Sequence, residues 1–93
     1  MRKIQTIKAF RRDLRRIKVS PRYRTAEDLL AALIELLAND RALPVAHRDH
    51  ALSGNWTDHR ECHVRPDLLL IYRKPDSNTL QLVRLGSHSE LFG

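Results

Sequence analysis

The stretch RECHVRPDLLLIYR, Arg60 to Arg73, decides how this chain folds. Its first half alternates, with Cys62 and Val64 on one face of an extended chain and Glu61, His63 and Arg65 on the other, because successive side chains of a strand point to opposite sides. Pro66-Asp67 interrupts the run: proline fixes φ and lacks an N–H, and aspartate bonds readily to its own turn. The second half, Leu68 to Arg73, is apolar on both faces, the pattern of a strand in the middle of a sheet. The stretch therefore predicts two antiparallel strands, one with an open face and one central.

Working outward, Pro75-Asp76-Ser77-Asn78 marks another turn, and Thr79 to Leu85 reads as a third strand. Gly86 permits a sharp exit, after which Ser87 to Phe92 predicts a final helical turn. Upstream, Ser53-Gly54-Asn55 punctuates the approach to the hairpin, and the texture before it changes to helical. Lys3 to Thr6 suits a short strand. Ile7, Phe10, Leu14 and Ile17 then recur at helical spacing, with Arg11, Arg12, Arg15, Arg16 and Lys18 in the other positions and a stop near Ser20-Pro21. A second helix is expected from Thr25, its N-cap, with Glu27 and Asp28 in the first turn where negative charge meets the positive end of the dipole. Its apolar stripe, Ala26, Leu29, Leu30, Leu33, Ile34, Leu36 and Leu37, is wide enough to be core, and it should end near Asn39 and Asp40. The expected fold is α+β: an N-terminal helical hairpin on one face of a curved, mostly antiparallel sheet of about four strands, with a short C-terminal helical turn. The other face stays open, where a small domain of this kind can hold a substrate.

With 93 residues the chain has room for one domain spanning 1–93 and one core. Its net charge is +6, and ten of its seventeen Lys and Arg residues fall in the first 24 positions, where Asp13 is the lone acid. Such an imbalance favours nucleic acid, an anionic membrane or an acidic protein as partner. The single cysteine, Cys62, cannot close an internal disulfide, and neither a leader pattern nor a long apolar run appears, so a cytoplasmic protein without a membrane partner is the simplest expectation.

Five histidines invite a catalytic reading. His47 and His59 lie in polar loop sequence and read as surface residues. His63 sits on the open face of its strand, and the Pro66-Asp67 turn brings a carboxylate back to that strand end, where the two could share a proton. No HExxH or CxxC spacing supports a metal site, no Gly-x-Ser-x-Gly elbow supports a serine nucleophile, and Cys62 should face the core. RNA cleavage suits the residue types better. The attacking 2′-hydroxyl needs a base, the leaving 5′-oxygen an acid and the phosphorane a cation. Histidine can serve in either protonation state at neutral pH, and each correctly placed proton transfer contributes about 10²- to 10⁴-fold. Arg84 is the natural cation, and Phe92 could stack on a base for about 1 to 3 kcal/mol.

Taken together, Arg48-Asp49-His50, Leu52-Ser53-Gly54-Asn55-Trp56, Arg60, His63-Val64-Arg65-Pro66-Asp67, Leu70-Ile71-Tyr72 and Arg84-Leu85-Gly86-Ser87-His88-Ser89-Glu90-Leu91-Phe92-Gly93 form an ordered set. It resembles the YafQ branch of the RelE/ParE toxin superfamily across nearly the whole chain, more weakly in the two helices. The resemblance implies a RelE-like fold and a toxin of a type II toxin–antitoxin system, an mRNA interferase that cuts translated mRNA in the ribosomal A site without a cofactor or metal. Carried over position by position, it implies a catalytic set of His50, His63, Asp67 and His88 with Arg84 stabilising charge. His88 would be the acid and His50, His63 and Asp67 the base side, although those roles could be exchanged. Phe92, Arg65 and Arg60 would bind substrate, and Arg11, Arg12, Arg15 and Arg16 would meet ribosomal RNA of the 70S ribosome. The implied partner is an acidic antitoxin of the DinJ/RelB kind, through which alone operator DNA would be reached. One departure is Leu68, which stands where the pattern has a tryptophan, so base stacking there would be lost. Arg84→Ala is expected to cost rate more than fold. The rival readings are a ParE-type gyrase poison and a non-catalytic nucleic-acid-binding module.

Overall fold

The computed structural model describes residues 1–93. Five strands form one sheet: β1 (Lys3–Thr6), β2 (His50–Ala51), β3 (Arg60–Arg65), β4 (Leu68–Arg73) and β5 (Thr79–Gly86). Their spatial order is β1-β5-β4-β3-β2, with β1 parallel to β5 and every other pairing antiparallel. The doubly apolar β4 is central, as its composition requires. The strand beyond the expected four is β2, only two residues long and too short to show any periodicity.

Helices α1 (Lys8–Lys18) and α2 (Ala26–Ala38) cover one face, joined by a single 3-10 turn at Pro21–Tyr23. Phe10 and Ile17 of α1 and Leu30, Leu33 and Leu37 of α2 pack on Cys62, Val64, Leu70, Tyr72, Leu80, Leu82 and Leu85. Leu68 belongs to this core and has no exposed surface. The Leu68 side chain faces this core and is not placed to stack on a base. Thr25 occupies the N-cap of α2 without a side-chain cap bond, and its hydroxyl instead accepts from Arg65 at 2.7 Å. No helix is long and apolar enough to cross a membrane.

The opposite face is less open than alternation alone suggests. Leu69, Ile71 and Val83 carry a second small apolar cluster with Leu91 of α3 (His88–Phe92), against which Leu52, Trp56 and Phe92 pack. Two bulges shape this face. Val64 is skipped between the pairs His63–Leu69 and Arg65–Leu68, and Val83 between Ile71–Arg84 and Tyr72–Leu82. Each adds local twist, which curves the sheet around what lies between β3 and α3.

Candidate active site

Between β3 and α3 the sheet leaves a cleft of about 560 Å³. Glu61 and His63 of β3 form one wall, the Pro66-Asp67 turn its end, Leu69 of β4 its floor, and Ser87, His88 and Ser89 at the start of α3 the other wall. Helix α3 is held at this angle by a capping box: the Ser87 hydroxyl accepts from the Glu90 N–H at 3.2 Å, and the Glu90 carboxylate accepts from the Ser87 N–H at 2.8 Å. That bond to the Ser87 backbone also depresses the Glu90 pKa. His88 thus projects from the first residue of the helix, exposed, with Phe92 one turn on and 5.0 Å from its ring. Phe92 in turn packs edge-on against Trp56 at 6.1 Å, so the aromatic expected to touch RNA also braces the histidine.

The carboxylate at the centre of the site is Glu61. Its side chain is only 7 % exposed, and its Oε1 lies 3.5 Å from His63 Nε2 and 3.8 Å from His50 Nε2. His50 arrives by register, since β2 pairs His50 with Glu61 and cross-strand partners share a face. Its Nδ1 is 2.6 Å from the carbonyl of Arg48. A carbonyl can only accept, so Nδ1 donates and Nε2 is the nitrogen turned to Glu61. Arg48 offers that carbonyl from the left-handed region, at φ 47°. His47 is not a free surface residue: its Nδ1 meets the backbone oxygen of His63 at 2.6 Å, which latches the preceding 3-10 turn onto β3. His59 packs edge-on against Trp56 at 5.3 Å.

Asp67 lines the same cleft, but it is not the carboxylate that faces His63. It is held from the helical side, with Arg22 Nη2 2.5 Å and the Tyr23 hydroxyl 3.4 Å from its Oδ2. Burial, and next the Asp67 charge, raise the Tyr23 pKa and keep the phenol a donor.

The cations anticipated for substrate lie elsewhere. Arg60 shares the face of Cys62 and bonds Asp49 at 3.2 Å and the Tyr72 hydroxyl at 3.3 Å. Arg65, reversed by the bulge at Val64, turns to Thr25. Arg84 donates through Nε and Nη2 to the fully buried Asp13, at 2.7 and 3.3 Å. Of the α1 arginines, Arg11 bonds Thr6 and Arg16 pairs with Asp13 and Glu90, whereas Arg12 and Arg15 are exposed and make no side-chain bond. Cys62 is sealed in the core, where burial pushes its thiol up to about 12, so it is no nucleophile.

Nothing in the sequence singled out Glu61, although alternation had already set it on His63's face. His, Cys, Asp and Glu side chains form no group of three arranged as metal ligands.

The chain is 38 % identical over 72 residues to the mRNA interferase toxin YafQ of Escherichia coli K12, a match covering 77 % of each chain. A copper-bound mutant toxin from Helicobacter pylori superposes with a TM-score of 0.91 at 38 % identity, over 99 % of this chain and all of that one. The Escherichia coli DinJ-YafQ complex contains a chain matched with a TM-score of 0.83 at 33 % identity, covering all of both chains. Residues 2–93 match the family described as the bacterial toxin of type II toxin-antitoxin systems, YafQ. The chain belongs to that family.

Proposed function

We propose that this toxin is a ribosome-dependent endoribonuclease that cuts translated mRNA in the ribosomal A site and so stops translation. The observation that carries the reading is the meeting in one cleft of His63 and Asp67, from β3 and its turn, with His88, from the far end of the sequence, and His50 joined to them through Glu61. The names of the Escherichia coli and Helicobacter pylori relatives, an mRNA interferase and a toxin, point the same way.

The chemistry follows from which groups can move protons. A base on the β3 wall takes the 2′-hydroxyl proton, the 2′-oxygen bonds to phosphorus, the bond from phosphorus to the 5′-oxygen breaks, and an acid across the cleft protonates the departing oxygen. His88, exposed on α3, is assigned the acid. His50 and His63 form the base side, with Asp67 at the end of the cleft beside them. The buried Glu61 faces Nε2 of both rings and offers its negative charge to either one. Arg84 is engaged by the buried Asp13 outside the cleft lining, so its part is to hold the end of β5 from which α3 and His88 depart. The groups named suffice for the reaction without a metal or cofactor.

The proposed partners are an acidic antitoxin of the DinJ/RelB kind, which would mask the basic surface in the cytoplasm and carry the pair to operator DNA, and the 70S ribosome, met through Arg12 and Arg15. Primer extension on translating messages tests the reading. Codon-phased cuts that survive a chelator and disappear in His88→Ala are expected, with the variant still folded and still binding its antitoxin. DNA breaks with intact message would make the chain a gyrase poison. Toxicity that survives loss of His50, His63 and His88 in turn would make it a binding module.

A further inference from the structure

The cleft that must receive a polyanion has no lysine or arginine in its lining, and two of its walls carry carboxylates, Glu61 and Asp67. The anticipated cations do not fill the gap, since Arg60 and Arg65 turn to the helical face and Arg84 is spent on Asp13. Of the seventeen Lys and Arg residues, one makes a side-chain bond to a residue of the cleft lining, and that is Arg22.

Arg22 sits in the 3-10 turn between α1 and α2 and reaches Asp67 at the end of the cleft. Its Nη2 is 2.5 Å from Asp67 Oδ2, and its guanidinium carbon lies 5.5 Å from the centroid of the Tyr23 ring. The ion pair and the ring fix its direction. Its side chain is nonetheless 68 % exposed, and neither Nε nor Nη1 has a protein partner. An exposed ion pair of this kind adds little to stability, whereas an oriented fork with free donors matches the geometry of a phosphate.

We infer that Arg22 grips a backbone phosphate of the RNA strand at the mouth of the cleft, with Asp67 and Tyr23 as the residues that position it. The inference rests on the nuclease reading for the identity of the strand. It also gives Asp67 a task besides lining the cleft: it offsets its own repulsion of RNA by recruiting a cation and aims that cation at the substrate.

Equilibrium binding tests the grip apart from the chemistry. The probe is a fluorescent message with 2′-O-methyl riboses, which cannot be cut, presented on 70S ribosomes, and cutting of the unmodified message is followed in parallel. Arg22→Gln should weaken binding about tenfold and flatten the plot of log affinity against log salt by about 0.7, the loss of one single-strand phosphate contact. Arg22→Lys should keep the salt slope and recover part of the affinity, because it restores the charge without the fork. Both variants should melt within a few degrees of wild type, as expected for an exposed side chain. Binding by Arg22→Gln within twofold of wild type at an unchanged slope overturns the inference, as does an Arg22→Lys protein that is folded but has lost the slope. Wild-type protein that shows Arg22-dependent binding yet cuts nothing would sink the nuclease reading and leave the grip standing.

Discussion

Asp13 is the lone acid among the first 24 residues and has no exposed surface. A carboxylate so placed must be fully bonded, and it is: Arg84 donates twice, Arg16 approaches to 3.5 Å, and the Leu85 N–H donates at 3.0 Å where β1 has ended and β5 would otherwise show a bare edge. Asp13→Ala would orphan both a guanidinium and a backbone donor, at a cost of about 3 kcal/mol. For a domain of this size the melting temperature should fall by roughly 15 °C. Calorimetry of Asp13→Ala, Arg84→Ala and the double variant checks this, and the double variant should lose less than the sum of the singles. Arg84→Ala is therefore expected to cost fold as well, beyond the loss of rate that the sequence alone suggests. The misjudged arginines have two separate causes. The alternation that turns Cys62 inward turns Arg60 inward as well, so its direction could have been read. Arg65 obeyed the alternation on paper, but the bulge at Val64 reversed it, and a one-residue slip of that kind leaves no mark in hydrophobic pattern.

Among the elements, α3 has the most to lose from a small change. Gly86 closes β5 directly beneath it, and a Cβ there would meet Glu90 Oε1 at 3.1 Å, Arg16 Nη2 at 3.3 Å and Leu91 Cδ2 at 3.3 Å. Gly86→Ala asks the tips of the Glu90, Arg16 and Leu91 side chains to give by a few tenths of an ångström, and whatever the Glu90 cap passes on to α3 reaches His88. A stability loss under about 2 kcal/mol is expected, with a larger loss of cutting rate, about tenfold or more, because small misplacements of a proton donor are costly. Single-turnover rates set beside melting curves separate the two effects; equal losses would mark Gly86 as merely structural. The long elements were legible because they are periodic: both helices, and β3, β4 and β5 to within a residue or two. The two-residue β2 was not, and with it went the pairing that sets His50 against Glu61. The histidines were thus visible in sequence, while the acid that organises two of them depended on a register only the folded sheet supplies.

At the scale of the molecule, the sheet divides the work. Helix α1, with Arg12 and Arg15 exposed, lies on one side, and the cleft with its histidines opens on the other. A large basic surface and a small histidine-lined one are thereby separated by a layer of strands, so a partner covering the first need not touch the second. The thiol of Cys62 lies inside that layer, between Glu61 and His63 in sequence and facing the helices. It is a natural clock for the protein. A thiol-reactive dye can reach it only when the strands part, so labelling of the native state should run at least about 10³-fold slower than in denaturant. Any RNA or antitoxin that binds the closed form should slow that clock further, in proportion to its occupancy. Ligand affinity thus becomes readable from one atom that no ligand ever touches.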